Sequence, residues 1–230
     1  MLLAEDLLLL VTDDASGRLS APAEKVDAGL GGANLVELTL RDKVDLTGEQ
    51  DPGKPGRIIV RDPSPLGDAV LDAALEVLLA RQGKRPAAVI GPLSKNLRGR
   101  LYERLASRGV VRAERSRVFG VFPVRRWPAD DASEEAEVRR LMAQALVQQV
   151  APDTRTAALI ALAHAVGYVD KIVDARQHGL SKRELRARAA EIAEGNWASE
   201  AVRKAIEEMM AAVMVTITAA TVATTSGSGS

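Results

Sequence analysis

Lys95 and Arg98 stand three residues apart in a stretch, Pro92 to Arg108, whose leucines at 93, 97, 101 and 105 recur at every fourth position. That spacing predicts a helix over 92–108, stopped by Gly109, and residues three apart are neighbours on a helix surface. An ammonium beside a guanidinium suits the holding of a phosphate, the first as a point charge and the second as a bidentate donor. Both fall within the first two turns, where unpaired backbone amides and the helix dipole also favour an anion. Arg100, Arg104 and Arg108 form a separate four-residue stripe, which reads as a solvated face. Tyr102, one turn on from Arg98, has two readings: a wall of the phosphate pocket, or a partly buried spacer.

The positive charge extends past this helix. Between Lys95 and Arg126, ten Lys/Arg residues meet only Glu103 and Glu114, in a chain that balances 31 basic against 31 acidic residues. A concentrated basic region on a neutral body attracts an anionic partner: a lipid headgroup, a nucleic acid or an acidic protein. Val110 to Arg126 alternates strand-like runs about a polar tip at Glu114 to Arg117 and reads as a hairpin. It gathers Arg115, Arg117, Arg125 and Arg126 beside Phe119, Phe122 and Trp127. Aromatics beside Arg suit a membrane interface or a nucleic acid; Phe119 and Phe122 packing beneath the hairpin is the plain alternative. A helix ending at Arg108-Gly109 before a basic hairpin also imitates a winged-helix DNA reader.

Other chemistry finds little footing. The chain has no cysteine, so disulfides and thiolate chemistry are excluded. His164 and His178 lie in separate segments, His164 on an apolar run that suits a hydrogen-bonded core residue. No metal-ligand spacing or nucleophile elbow occurs, and no cofactor is expected. Asp13-Asp14 and Asp130-Asp131 read as turn or helix-capping acids. Gly48 to Lys54 (GEQDPGK) imitates a phosphate-binding loop. However, Pro55 occupies the place of the magnesium-binding hydroxyl, and the strand-like Arg57 to Val60 follows where a helix is needed. A hairpin turn explains it, and the expectation is a non-enzymatic protein.

The elements that must position the basic region are mostly helical. Leu2–Val11, Lys25–Leu40, Asp68–Gln82, Ser133–Val150, Thr154–Ala165, Ser181–Ala193 and 198–221 carry helical apolar spacing. Thr156 to Val166 is apolar almost all round and so belongs at the centre. Gly29, Gly31 and Gly32 each weaken their helix by roughly 1 kcal/mol relative to Ala, which close backbone packing would offset. Val44–Leu46 and Ile58–Val60 predict a hairpin. The expected class is mainly α: one helical domain over 1–225 with a central bundle, peripheral amphipathic helices and two β-hairpins, then a flexible tail at 226–230. The acidic start is no signal peptide, and the uncharged C-terminal run is too short and too rich in Thr to span a bilayer. The expected location is cytoplasmic, peripheral on the inner face of a membrane. The richness in Ala, Arg and Val suggests GC-rich bacterial coding.

Five stretches in order, LLLLVTDDASGR (7–18), GLGGANLVELTLRDKV (29–44), GDAVLDAAL (67–75), LRGRLYERLASRGVVRAE (97–114) and ALIALAHAVG (158–167), resemble the Golgi phosphoprotein 3 family. The resemblance covers nearly the whole chain. It implies a helical fold and peripheral membrane binding through phosphatidylinositol 4-phosphate, with no catalysis. The headgroup contacts it implies are Lys95 and Arg98, with Tyr102 added from the reading above. It further implies that the hairpin at 110–127 can serve in self-association, an alternative to membrane contact through Arg115, Arg117, Phe119 and Phe122. Pro22 stands where the family's pocket Trp falls and Gly31 where a further pocket Arg falls. An aromatic wall and a third cation are each worth about 1 kcal/mol or more, so the expected ligand widens to anionic headgroups in general. An anionic phospholipid surface thus ranks above nucleic acid as the partner, and the fold is expected to begin at the chain start.

Overall fold

Leu3–Leu10 (α1) is buried at every position, its two acids included. The structure, a computed structural model, describes the backbone of residues 1–118, 122–195 and 200–226, and the side chains of those residues outside 116–124, 200–204 and 220–226. Across α1 runs Ala23–Leu40 (α2), the helix around which the rest assembles. Its glycines are the points of closest approach. A Cβ on Gly29 would strike Val166, one on Gly31 would lie 2.7 Å from the Ile90 carbonyl oxygen, and one on Gly32 would overlap Val213. The weakening that three glycines impose on α2 is therefore offset by contact with three different helices, as their clustering predicts.

Those helices are Ala87–Ser94 (α4), Thr154–Val166 (α7) and Glu200–Ser226 (α10), which close around α2. All but three residues of α7 are buried, as its all-round apolarity predicts. Ala69–Leu79 (α3) begins at Asp68, whose carboxylate accepts from the Val70 and Leu71 amides. Ser133–Leu146 (α6), the short Val169–Ile172 (α8), a 3₁₀ turn at Ala175–His178 and Lys182–Ala193 (α9) complete the helical layer. Ser181 and Glu184 form the reciprocal cap of α9. Asp13 and Asp131 accept from the Ser16 and Ser133 amides, the turn and capping work their positions predict. Among the described residues no helix is long and apolar enough to cross a membrane.

Two antiparallel hairpins are present. Val44–Leu46 (β1) pairs with Ile58–Val60 (β2), and Gly48 to Lys54 lies in their connection. There Asp51 receives Arg61 at 2.6 Å and the Gly48 amide at 2.9 Å, Arg61 foremost in holding its carboxyl down at about 2. The phosphate-loop imitation is thus a turn. Glu114–Val118 (β3) pairs with Phe122–Arg126 (β4), setting Arg115 opposite Arg125 and Glu114 opposite Arg126. The polar run expected to form the tip is strand; a cluster of charge does not by itself mark a turn.

The expected helix over 92–108 is two. α4 ends at Ser94, and Leu97–Ser107 (α5) begins after a break in which Lys95 has ψ 117° and Asn96 turns left-handed at φ 57°. Asn tolerates that region better than most residues. Pro92, inside α4, lacks the amide that would bond the Ala88 carbonyl, which weakens α4 shortly before the break.

The stripe at Arg104 and Arg108 also departs from expectation. Arg104 pairs with Glu5 at 3.0 Å and Asp68 at 2.6 Å; Arg108 reaches Glu5 at 3.5 Å and Glu134 at 3.1 Å. These guanidiniums are held, because Glu5 is completely buried and a buried carboxylate requires compensation. On the other side of α1, Arg155 joins Asp6 at 2.7 Å, Glu37 at 3.3 Å and the Met1 carbonyl at 2.6 Å.

Arg155→Ala leaves the buried Asp6 without its cation, while Glu37 keeps Arg41 at 2.8 Å, and we expect a stability loss on the order of 3 kcal/mol in urea unfolding. A second prediction concerns Glu135, buried beside Asp14. Burial, outweighing Arg139 at 2.6 Å and assisted by Asp14, lifts its carboxyl to about 7 from an ordinary 4.5. Folded Glu135 therefore keeps a proton that the unfolded chain releases, and its stabilising share is lost as pH rises from 4.5 through 7. The melting temperature of Glu135→Gln relative to the parent should climb across that window; a pH-independent difference would contradict the assignment.

Candidate functional site

The split between α4 and α5 creates a cleft. Because α5 restarts at Leu97, the amides at its very start have no intrahelical acceptor, that of Arg98 among them. Ser94, Asn96, Leu97, Arg98 and Gly99 form one wall of an open cleft of about 700 Å³. Asp27, one turn into α2, lines it opposite, and the turn residues Gly17 and Arg18 and the end of β4, Arg125 to Trp127, complete it.

Its floor is aromatic. Tyr102 and Trp127 stack with centroids 5.0 Å apart and planes within 3° of parallel, and both are buried. The Tyr102 hydroxyl turns inward to Thr12 at 2.7 Å, so Tyr102 offers the cleft its ring rather than a polar handle. Burial raises that phenol's pKa against the opposing effect of the Thr12 hydrogen bond.

The hairpin reaches the cleft because the 13–18 turn touches its base. The Trp127 amide donates to the Gly17 carbonyl at 3.1 Å and the Ala129 amide to that of Asp14 at 2.9 Å. Gly17 sits at φ 61°, and a Cβ there would overlap the Trp127 and Pro128 amide nitrogens. Only glycine fits both the conformation and the space.

Four arginines and two carboxylates line the cleft. Arg125 is exposed and engages Glu103 at 3.4 Å. The Arg98 Nε lies 3.6 Å from Asp27, an ion pair too long for a hydrogen bond, and its Nη1 is buried without a partner. Burial lifts the Asp27 carboxyl above its ordinary value despite Arg98. The Arg126 Nε is likewise buried without a hydrogen-bond partner. Two guanidiniums that line one cleft thus each keep a buried donor without a hydrogen-bond partner, and an oxygen-rich anion is the acceptor such donors suit.

Of the residues singled out from sequence, Arg98 and Tyr102 come together in this cleft. Lys95 is exposed at the helix break, between the lining residues Ser94 and Asn96, and does not itself line the cleft. Arg115 is exposed and borders a smaller depression of about 300 Å³ shared with Arg125 and Trp127. Arg117 and Phe122 face Pro123 and Val118 across the ribbon by backbone register, their side chains outside the described set; Phe119 lies outside the described residues. Pro22 caps α2, exposed and away from the cleft lining, and Gly31 is buried against α4. Asp27 and Arg18 carry no local signal of function, since only long-range packing brings them here. Arg126 and Trp127 are visible as part of a basic, aromatic hairpin but not as cleft residues.

A sequence model of the Golgi phosphoprotein 3 (GPP34) family matches residues 3–209. Vacuolar protein sorting-associated protein 74 of Eremothecium gossypii is 27% identical over 223 residues, an alignment covering 79% of this chain and 66% of that protein.

Gly17→Ala should cost about 3 kcal/mol or more by combining left-handed strain with overlap at the hairpin base. Chemical unfolding measures it. Loss of the red-edge Trp fluorescence or near-UV ellipticity arising from the Tyr102–Trp127 stack at temperatures below the melt would report local detachment of the hairpin.

Proposed function

The chain belongs to the Golgi phosphoprotein 3 family, and from that premise we propose that it is a non-enzymatic peripheral protein that binds anionic lipid headgroups, phosphatidylinositol 4-phosphate-like ones among them. The observation that carries this reading is Arg98, placed in the first turn of α5 with Nη1 buried and unpartnered at an open cleft. A headgroup phosphate there would collect the guanidinium fork and the free amides of the helix start. Asp27 competes for Arg98, but a carboxylate at 3.6 Å makes no hydrogen bond, and a doubly charged phosphate in bidentate contact outbids it.

Lys95 acts beside the cleft rather than within it, adding charge toward the bilayer surface. Arg100 and Arg115, both exposed, extend the same positive region. Each basic residue near an anionic surface contributes about 1 kcal/mol, so one headgroup site and a few such charges give reversible attachment. A winged-helix role draws less support, since Arg104 and Arg108 of the would-be reading helix are held by Glu5, Asp68 and Glu134.

The test is flotation with phosphatidylcholine vesicles, alone or with about 10% anionic lipid. The parent protein should float only with the anionic lipid, less as salt rises, and Lys95→Ala with Arg98→Ala should reduce flotation about tenfold or more. Flotation unchanged by the double substitution would remove this site. No flotation at all would leave a protein-interaction module as the reading.

A further inference from the structure

We infer that Arg126, delivered by the end of β4, is a phosphate-binding residue of the cleft and takes the role of the cation that position 31 cannot hold. The inference rests on the headgroup reading above and names the ligand more closely: a doubly charged phosphomonoester, rather than the singly charged diester of an ordinary anionic phospholipid. Gly31 is closed to any side chain by the Ile90 carbonyl oxygen at 2.7 Å, so α2 supplies no arginine there. The cleft nevertheless has a second guanidinium in its lining with an unused buried donor, Arg126 Nε, beside that of Arg98 with its Nη1.

A buried N–H without an acceptor is unfavourable, and packing alone gives no reason to keep one in each of two arginines lining one cleft. A shared acceptor resolves both. A phosphomonoester dianion has three terminal oxygens and can accept from two guanidiniums at once. A diester has two and carries half the charge, and so gains less from the second fork. Arg126 is also held in place before any ligand arrives. Its strand pairs with β3 at Glu114, and the next residue, Trp127, is fixed by the Gly17 carbonyl and by stacking on Tyr102. A cation on such a rigid support loses little freedom on binding. Arg125, its neighbour, is engaged with Glu103 at the rim and is the natural control.

The experiment compares the parent with Arg126→Gln, Arg126→Lys, Arg125→Gln and Arg98→Ala. Probes are phosphatidylcholine vesicles carrying phosphatidic acid or phosphatidylinositol 4-phosphate, vesicles carrying phosphatidylglycerol at matched surface charge, and soluble inositol 1,4-bisphosphate. The expected result is about tenfold weaker binding of phosphomonoester vesicles by Arg126→Gln, within about twofold of parental binding to phosphatidylglycerol. Arg126→Lys should recover part of the loss, Arg125→Gln should weaken binding to both lipid classes alike, and the melting temperature of Arg126→Gln should stay at the parental value. If Arg98→Ala weakens vesicle binding while Arg126→Gln leaves both lipid classes alike, the headgroup reading survives and this inference is overturned. If the parent ignores all vesicles but binds inositol 1,4-bisphosphate in an Arg126-dependent manner, the membrane reading fails and Arg126 stands as a site for a soluble phosphate ester. Absence of binding to every probe overturns both.

Discussion

Glu5 is an ionisable group with no access to water, and the position of α5 follows from that. A carboxylate stripped of solvent is tolerable only beside cations, and it finds them in Arg104 and Arg108, one turn apart on α5. With those two arginines turned to α1, the 3.6-residue repeat decides the rest of the helix. Leu97, Leu101 and Leu105 go into the core, and Arg98 and Tyr102, again one turn apart, come to an adjoining face where the cleft lies. The charge that stabilises the interior and the charge that lines the cleft are thus carried by one helix and separated by its geometry.

This division changes the meaning of the basic segment. Its ten cations look like one patch in the sequence, yet Arg104, Arg108, Arg112 and Arg125 each have a carboxylate partner in the structure, and Arg98 has one beyond hydrogen-bond reach. The patch that remains is smaller and better defined, centred on two guanidiniums whose donors are not used internally. The aromatic floor comes from Tyr102 and Trp127 and not from the start of α2.

Much of the architecture was legible because helices repeat over short distances. α1, α2, α3, α7 and both hairpins lie where apolar spacing and turn residues place them, and the glycines of α2 mark real close contacts. The break at Lys95–Asn96 was not legible, because leucines 93, 97, 101 and 105 continue the four-residue spacing straight across it and all four are buried. The strand at Glu114–Val118 misled in another way, since its polar residues resemble a turn when no partner strand is in view. Asp27, Arg18 and the acids of α1 could not be assigned, because their partners lie far away in the chain. Local spacing locates elements; it does not say which distant charge an element will meet.

Gly31 sets a limit on how the cleft can be remodelled. The groove between α2 and α4 leaves no room at that position even for a methyl group, because the obstacle is backbone oxygen, which cannot rotate aside as a side chain would. Grafting an arginine onto this scaffold by exchanging residue 31 alone would therefore wedge two core helices apart. Such a graft has to begin with the path of α4 itself, and a library confined to cleft-lining positions would never sample a solution.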